Sequence, residues 1–226
     1  MKDKAIINPD DFKLAPLEPN VILFFILRHF YMFHEIVKGS KIRSYGPAKR
    51  FSFTFQGSDY SALGGFIGAP LAAIILENAI VSGGKHFRAF GTAGWIGKET
   101  VELGSLHNPV SAMDKTGMMA DYGAEKPLTE FRYSDGKPTC RKIVSVNSFY
   151  RLTPDKLEDY RAHQADVIDM EAAPLNHITL LRGGTYQPLF VISDYVDPAL
   201  KWIEGTGTNS FSTGLEKGLN RILSKK

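Results

Sequence analysis

The chain has 226 residues, 27 Lys and Arg against 24 Asp and Glu for a formal net charge of +3, and a single cysteine, Cys140. That length suits one sizeable α/β domain spanning 1–226. The interspersed charges lack the clustered Lys and Arg of a nucleic-acid binder, and one cysteine excludes an internal disulfide or a multi-cysteine metal site.

Residues 1–20, with Pro9, Pro16 and Pro19, read as an irregular leader. Val21 to Leu27 is the most apolar run and reads as a buried strand or the start of a buried helix. Arg28 and His29 cut it well short of the ~20 residues of a membrane span. No basic segment precedes a signal-like core, so the expected location is the cytoplasm, with no membrane partner. Phe30, Phe33, Ile36 and Val37 continue at helical spacing, and Phe51 to Phe55 alternates strictly as a strand ended by Gly57. Gly64 to Pro70 opens a helix that runs to Gly83-Gly84, with Pro70 at a position the first turn accepts.

His86 to Phe90 reads as a short central strand leading into Gly91-Thr92-Ala93-Gly94. That run is either an ordinary βα turn or a place where backbone N–H groups and the Thr92 hydroxyl cradle an anion. Residues 107–140 are expected as a lid or an oligomer contact, with a hairpin at Asp135-Gly136. Ile143 to Ser148 reads as a strand ending in Phe149-Tyr150. Thr153 then caps a helix that begins at Pro154.

Val167-Ile168 ends a buried strand, and Asp169-Met170-Glu171-Ala172-Ala173 turns it into a helix that stops at Gly183-Gly184. A carboxylate at such a junction can take two vicinal hydroxyls, or simply complement the helix macrodipole. Pro188 to Ile192 is a buried strand ending in Ser193-Asp194, and Trp202 with Gly205 to Thr208 forms a connection to a last helix, Phe211 to Leu223.

Several of these stretches resemble the nucleoside phosphorylase superfamily. Asp169 to Ala173 is similar to its ribose-binding Glu-Met-Glu-(Ala/Gly)-Ala. Gly64 to Pro70 resembles Gly-Met-Gly-x-Pro-Ser, with Ile67 where methionine is usual, and Val101 to Ser105 looks like a strand of the family, so a strand is expected there. Gly91, Thr92 and Gly94 match Arg-x-Gly-(Thr/Ser)-x-Gly; Phe149-Tyr150 matches a Phe-Tyr pair, and Ser193-Asp194 a Ser-Asp. Two departures stand out. The Gly-Asp-Pro phosphate loop is missing after the first strand, and Arg88 lies one residue early, which on a strand turns the side chain to the other face.

The resemblance implies a three-layer α/β/α fold with a central mixed sheet, and a purine nucleoside phosphorylase that needs phosphate as co-substrate and neither metal nor organic cofactor. It implies Asp194 as general acid, Met170 and Glu171 at the ribose, and Phe149, Gly94 and Ser193 at the base. Phosphate would sit on Gly91, Thr92 and Arg88, with Arg28 or Arg43 as further anion candidates and Lys201 as the basic partner of Asp194. A homo-oligomer, hexamer or dimer, is expected. The alternatives are a nucleosidase of the same fold using water and a non-catalytic nucleoside binder; Ser193-Asp194 disfavours a pyrimidine enzyme.

Overall fold

The apolar run near the amino terminus resolves into two elements. In the computed structural model, which describes residues 6–12, 14–133 and 138–223, strand β1 (Asn20–Phe24) is followed directly by helix α1 (Leu27–Val37). Val21 and Leu23 point into one core and Ile22 and Phe24 into another. Both faces of β1 are therefore covered, which is why its sequence is apolar without alternation.

The chain continues through β2 (Arg43–Tyr45), β3 (Ala48–Phe55), β4 (Ser58–Gly64), α2 (Ala69–Val81), β5 (His86–Trp95), β6 (Leu106–His107), β7 (Pro109–Asp114), α3 (Met118–Asp121) and β8 (Leu128–Glu130). It closes with β9 (Cys140–Ser145), α4 (Pro154–Ala162), β10 (Ala165–Asp169), α5 (Ala172–Leu181), β11 (Thr185–Val196), β12 (Trp202–Glu204) and α6 (Asn209–Arg221). The strands form one twelve-stranded mixed sheet, with β2-β3-β4-β1-β5-β10-β9-β7-β8 along one path and β11 on the other edge of β5. Helices α2 and α5 pack on each other and cover one face; α1 and α6 lie together on the other. This is the expected three-layer arrangement around a mixed sheet.

Strand β5 organises the sheet. One of its edges pairs in parallel with β11 from His86 to Trp95. The other pairs in parallel with β1 only as far as Phe24 opposite Phe90, and then antiparallel with β10 from Gly94. Residues 91–93 lie between the end of one partner and the start of the next, so the sheet opens there at the carboxyl end of β1.

Four expectations are corrected. Gly91 to Gly94 is strand rather than a turn, because β11 keeps pairing alongside it through Trp95. Residues 101–105 are a loop, not a strand; Gly104, at φ 82°, and Ser105 bond the backbone of Ile192 there. The region 107–140 adds strands β7, β8 and the start of β9 to the sheet rather than forming a lid. Asp135-Gly136 lies outside the described residues. The last helix starts at Asn209, where the Thr208 hydroxyl accepts the Phe211 N–H, two residues before the expected start. The Thr153 cap is present, its hydroxyl accepting the Lys156 N–H. Among the described residues no helix is long and apolar enough to cross a membrane.

Candidate active site

At the opening beside β5 the two junction carboxylates take different tasks. Asp169, the last residue of β10, accepts the N–H groups of Glu171 (3.1 Å) and Ala172 (2.6 Å) on Oδ2 and the Ser145 hydroxyl on Oδ1 (2.5 Å). It caps α5 internally, satisfying donors that a helix start leaves open. Glu171 is thereby released from capping. Its Oε1 reaches across to the N–H of Gly68 at 2.6 Å, at the start of α2. Gly68 sits at φ 92°, a conformation in which a side chain would be strained, so the glycine lets the backbone present that N–H.

Both carboxyls are buried. Burial raises the pKa of each, and the neighbouring Asp169 charge raises Glu171 further. Hydroxyl donors bonding to Glu171 would favour its charged form and oppose that rise.

Asp194 arrives from the other side. The β11 ladder shifts register between Ile192 and Asp194, a bulge that turns Ser193-Asp194 against Gly94. A Cβ on Gly94 would lie 2.8 Å from Asp194 Oδ2, so glycine is what admits the carboxylate. The Ser193 hydroxyl donates to Oδ1 at 2.6 Å and the Trp202 indole N–H to Oδ2 at 2.8 Å. Trp202 therefore holds the position expected of Lys201, whose own N–H bonds Asp197.

A cavity of about 130 Å³ gathers Thr92, Gly94, Phe149, Met170, Glu171, Ser193 and Asp194, with Phe25, Ile26, Ile67 and Ile168 among its apolar walls. It shares Phe149, Ile168 and Asp194 with an adjoining cavity of about 470 Å³. Phe149, half-exposed in a short 3₁₀ turn, meets the Trp202 ring edge-on at 6.2 Å.

Two expected phosphate residues are not brought to this cavity. Arg88 lies at the amino end of β5, where its Nη1 donates to the Ile222 carbonyl at 2.8 Å; the one-residue displacement has carried it away. Gly91 is buried against the Phe25 ring, 2.8 Å from where its Cβ would stand, and does not line the cavity. Arg28 and Arg43 are exposed. Among the described residues that line the two cavities there is no Lys, Arg or His.

Sequence reading missed Trp202 as a partner of Asp194, Ser145 as a partner of Asp169, and Gly68 as the donor to Glu171. Gly68 had a signal, a glycine directly before a helix start; Trp202 had none, because its contact depends on the β11–β12 pairing.

The resemblance read from the sequence is matched by comparison. The family model described as Phosphorylase superfamily matches residues 135–222. No curated protein sequence matches the chain. Among solved structures, a purine nucleoside phosphorylase from Toxoplasma gondii in complex with immucillin-H shares 18% identity, 98% of this chain and 95% of its own, with a TM-score of 0.74. A uridine phosphorylase from Vibrio fischeri shares 16% identity, 96% of this chain and 93% of its own, at 0.75. The fold is that of the nucleoside phosphorylases.

Proposed function

With that fold as premise, we propose that the protein cleaves the N-glycosidic bond of a purine nucleoside. The observation that carries this reading is the convergence of Glu171 and Asp194 on one cavity, with the Phe149 ring beside it. Glu171, steadied through Oε1 by the Gly68 N–H, accepts the ribose hydroxyls, and Met170 lines the sugar. The base stacks on Phe149, an interaction contributing roughly 1–3 kcal/mol.

The C1′–N9 bond breaks through an oxocarbenium-like centre, and its electron pair goes to the base. Asp194, oriented by Ser193 and Trp202, gives N7 a proton as that charge develops. General acid assistance of this kind contributes typically 10²–10⁴-fold.

The incoming nucleophile is phosphate or water. The cavity's lining favours water: Phe25 and Ile26 take the place of a Gly-Asp-Pro loop, and no basic side chain among the described residues offsets a phosphate dianion, whose uncompensated burial is costly. Phosphorolysis is the second reading. It requires cations from a second copy of the chain, and the exposed apolar Ile74 and Val81 on α2, with Ile67 just before that helix, support such an assembly, since Ile67 also lines the cavity.

Chromatography of base release from inosine, adenosine and uridine, with and without phosphate, tests this. Release from purine nucleosides without phosphate is expected; release only with phosphate, yielding ribose 1-phosphate, selects the second reading. In Asp194→Asn, release should fall at least about tenfold. Wild-type turnover in that variant would remove the general-acid role, and no release from any nucleoside by the parent would overturn the reading altogether.

A further inference from the structure

The second cavity is larger than the proposed chemistry needs. With the sugar in the 130 Å³ cavity beside Glu171, the base enters the 470 Å³ space past Asp194, and a purine ring system fills well under half of it. The remaining walls are apolar: Trp95, Leu157, Val196 and Leu200 line the space together with Trp202, whose indole reaches back to Asp194. The indole N–H groups there are already committed, Trp95 to the Glu99 carbonyl at 2.8 Å and Trp202 to Asp194. The Thr153 hydroxyl accepts from Lys156 in its capping role. A polar group on the ligand would find little to bond at this end; an apolar one would find rings and branched chains.

Exposure at the rim points the same way. Phe149 (47%), Tyr150 (93%), Leu200 (52%) and Trp202 (54%) are all large, apolar in body and open to solvent, and all line this one cavity. Such a cluster marks a ligand surface rather than scattered surface residues. Leu200 adds a strained feature. It stands at φ 61° in the turn that its N–H closes onto the Asp197 carbonyl, a conformation that glycine or asparagine would adopt more readily. A leucine kept there supplies an apolar side chain to the rim.

Building on the nucleoside reading above, we propose that the natural substrate is a purine nucleoside whose base carries a bulky apolar substituent on its six-membered ring, seated against Trp202, Val196 and Leu157. The six-membered ring is the part of the base that projects away from the sugar once N7 faces Asp194. An unsubstituted purine leaves this space wet.

Trp95 and Trp202 are the only tryptophans in the chain, and both line the cavity, so intrinsic fluorescence reports its occupancy directly. Titration of the full chain with adenosine and with N6-benzyladenosine, beside base release from each, tests the proposal. N6-benzyladenosine should bind at least about tenfold more tightly, the discrimination an apolar pocket gives for added apolar bulk, and have the higher kcat/KM. Val196→Phe, which fills space beside Trp202, its cross-strand neighbour, should shrink that preference severalfold. Equal or weaker binding of N6-benzyladenosine, with adenosine still bound and cleaved, would overturn this inference while leaving the proposed function standing. A preference unchanged by Val196→Phe would overturn the assigned location. If neither nucleoside bound or reacted, both readings would fall together.

Discussion

Glu171 and Asp169 show how one residue's position in a junction decides its chemistry. Both are buried acids two residues apart, yet Asp169 is consumed by backbone and hydroxyl donors while Glu171 faces the cavity. Raised carboxyl pKa values in the folded state mean that it binds more protons than the unfolded chain above the ordinary carboxylate range. The stability tied to that difference is fully present below the unfolded value, ~4.3 for glutamate, and is lost as pH rises through the folded values. Glu171→Gln keeps an oxygen for the Gly68 N–H and removes one of the two titrations. Thermal unfolding followed from about pH 5 to about pH 9 should show the parent losing stability relative to the variant as pH rises; curves that stay parallel would mean that Glu171 is ordinary in the fold.

At the scale of elements, Asp194 is placed by a chain of contacts that begins at α6. A Cβ on Gly214 would lie 1.9 Å from the Gly104 carbonyl oxygen, so the helix rests on bare backbone. Gly104 and Ser105 in turn bond both backbone groups of Ile192, two residues before Asp194. Gly214→Ala sets a propensity gain of up to ~1 kcal/mol in the helix against overpacking that costs typically 1–3 kcal/mol. The obstacle here is backbone rather than a flexible side chain, so overpacking wins. Urea unfolding should show a net loss on the order of 1–2 kcal/mol, with base release reduced; a stabilised variant would show that α6 is free to shift away.

For the whole molecule, α2 is apolar on nearly every side. Ala72, Ile75 and Leu76 face the core, while Ile74 and Val81, seven residues apart, face outward, exposed by 54 and 42%, and Ile67 just before the helix is exposed by 60%. A helix hydrophobic all round is normally covered, which favours a second copy of the chain against it. Sedimentation should find an oligomer for the parent and a smaller species for Ile74→Glu; a parent that sediments as a monomer would leave this face to another partner and would weaken the phosphorolysis reading with it.

What the sequence determined by itself was local. The Val167 to Ala173 junction, the Thr153 cap and the bulk of α2 and α5 follow from apolar periodicity, capping residues and glycine placement, all of which act over a few positions, whereas the run from Val21 read as strand or helix until its packing was known. The cavity's residues Glu171, Phe149, Ser193 and Asp194 were singled out because their stretches resemble those of one family in the same order; local signals alone read each equally as a cap or a core residue. What only the tertiary structure decided is long in range: the hand-over of β5 from β1 to β10, the bond between Gly68 and Glu171 across 103 residues of chain, the Trp202 indole on Asp194, and the removal of Arg88 to the far end of its strand. Period and propensity describe how a segment folds on itself. Which segment then lies against it is set by the packing of the sheet and its two helical layers, and that packing gives the site its carboxylates and its apolar annex and withholds a cation.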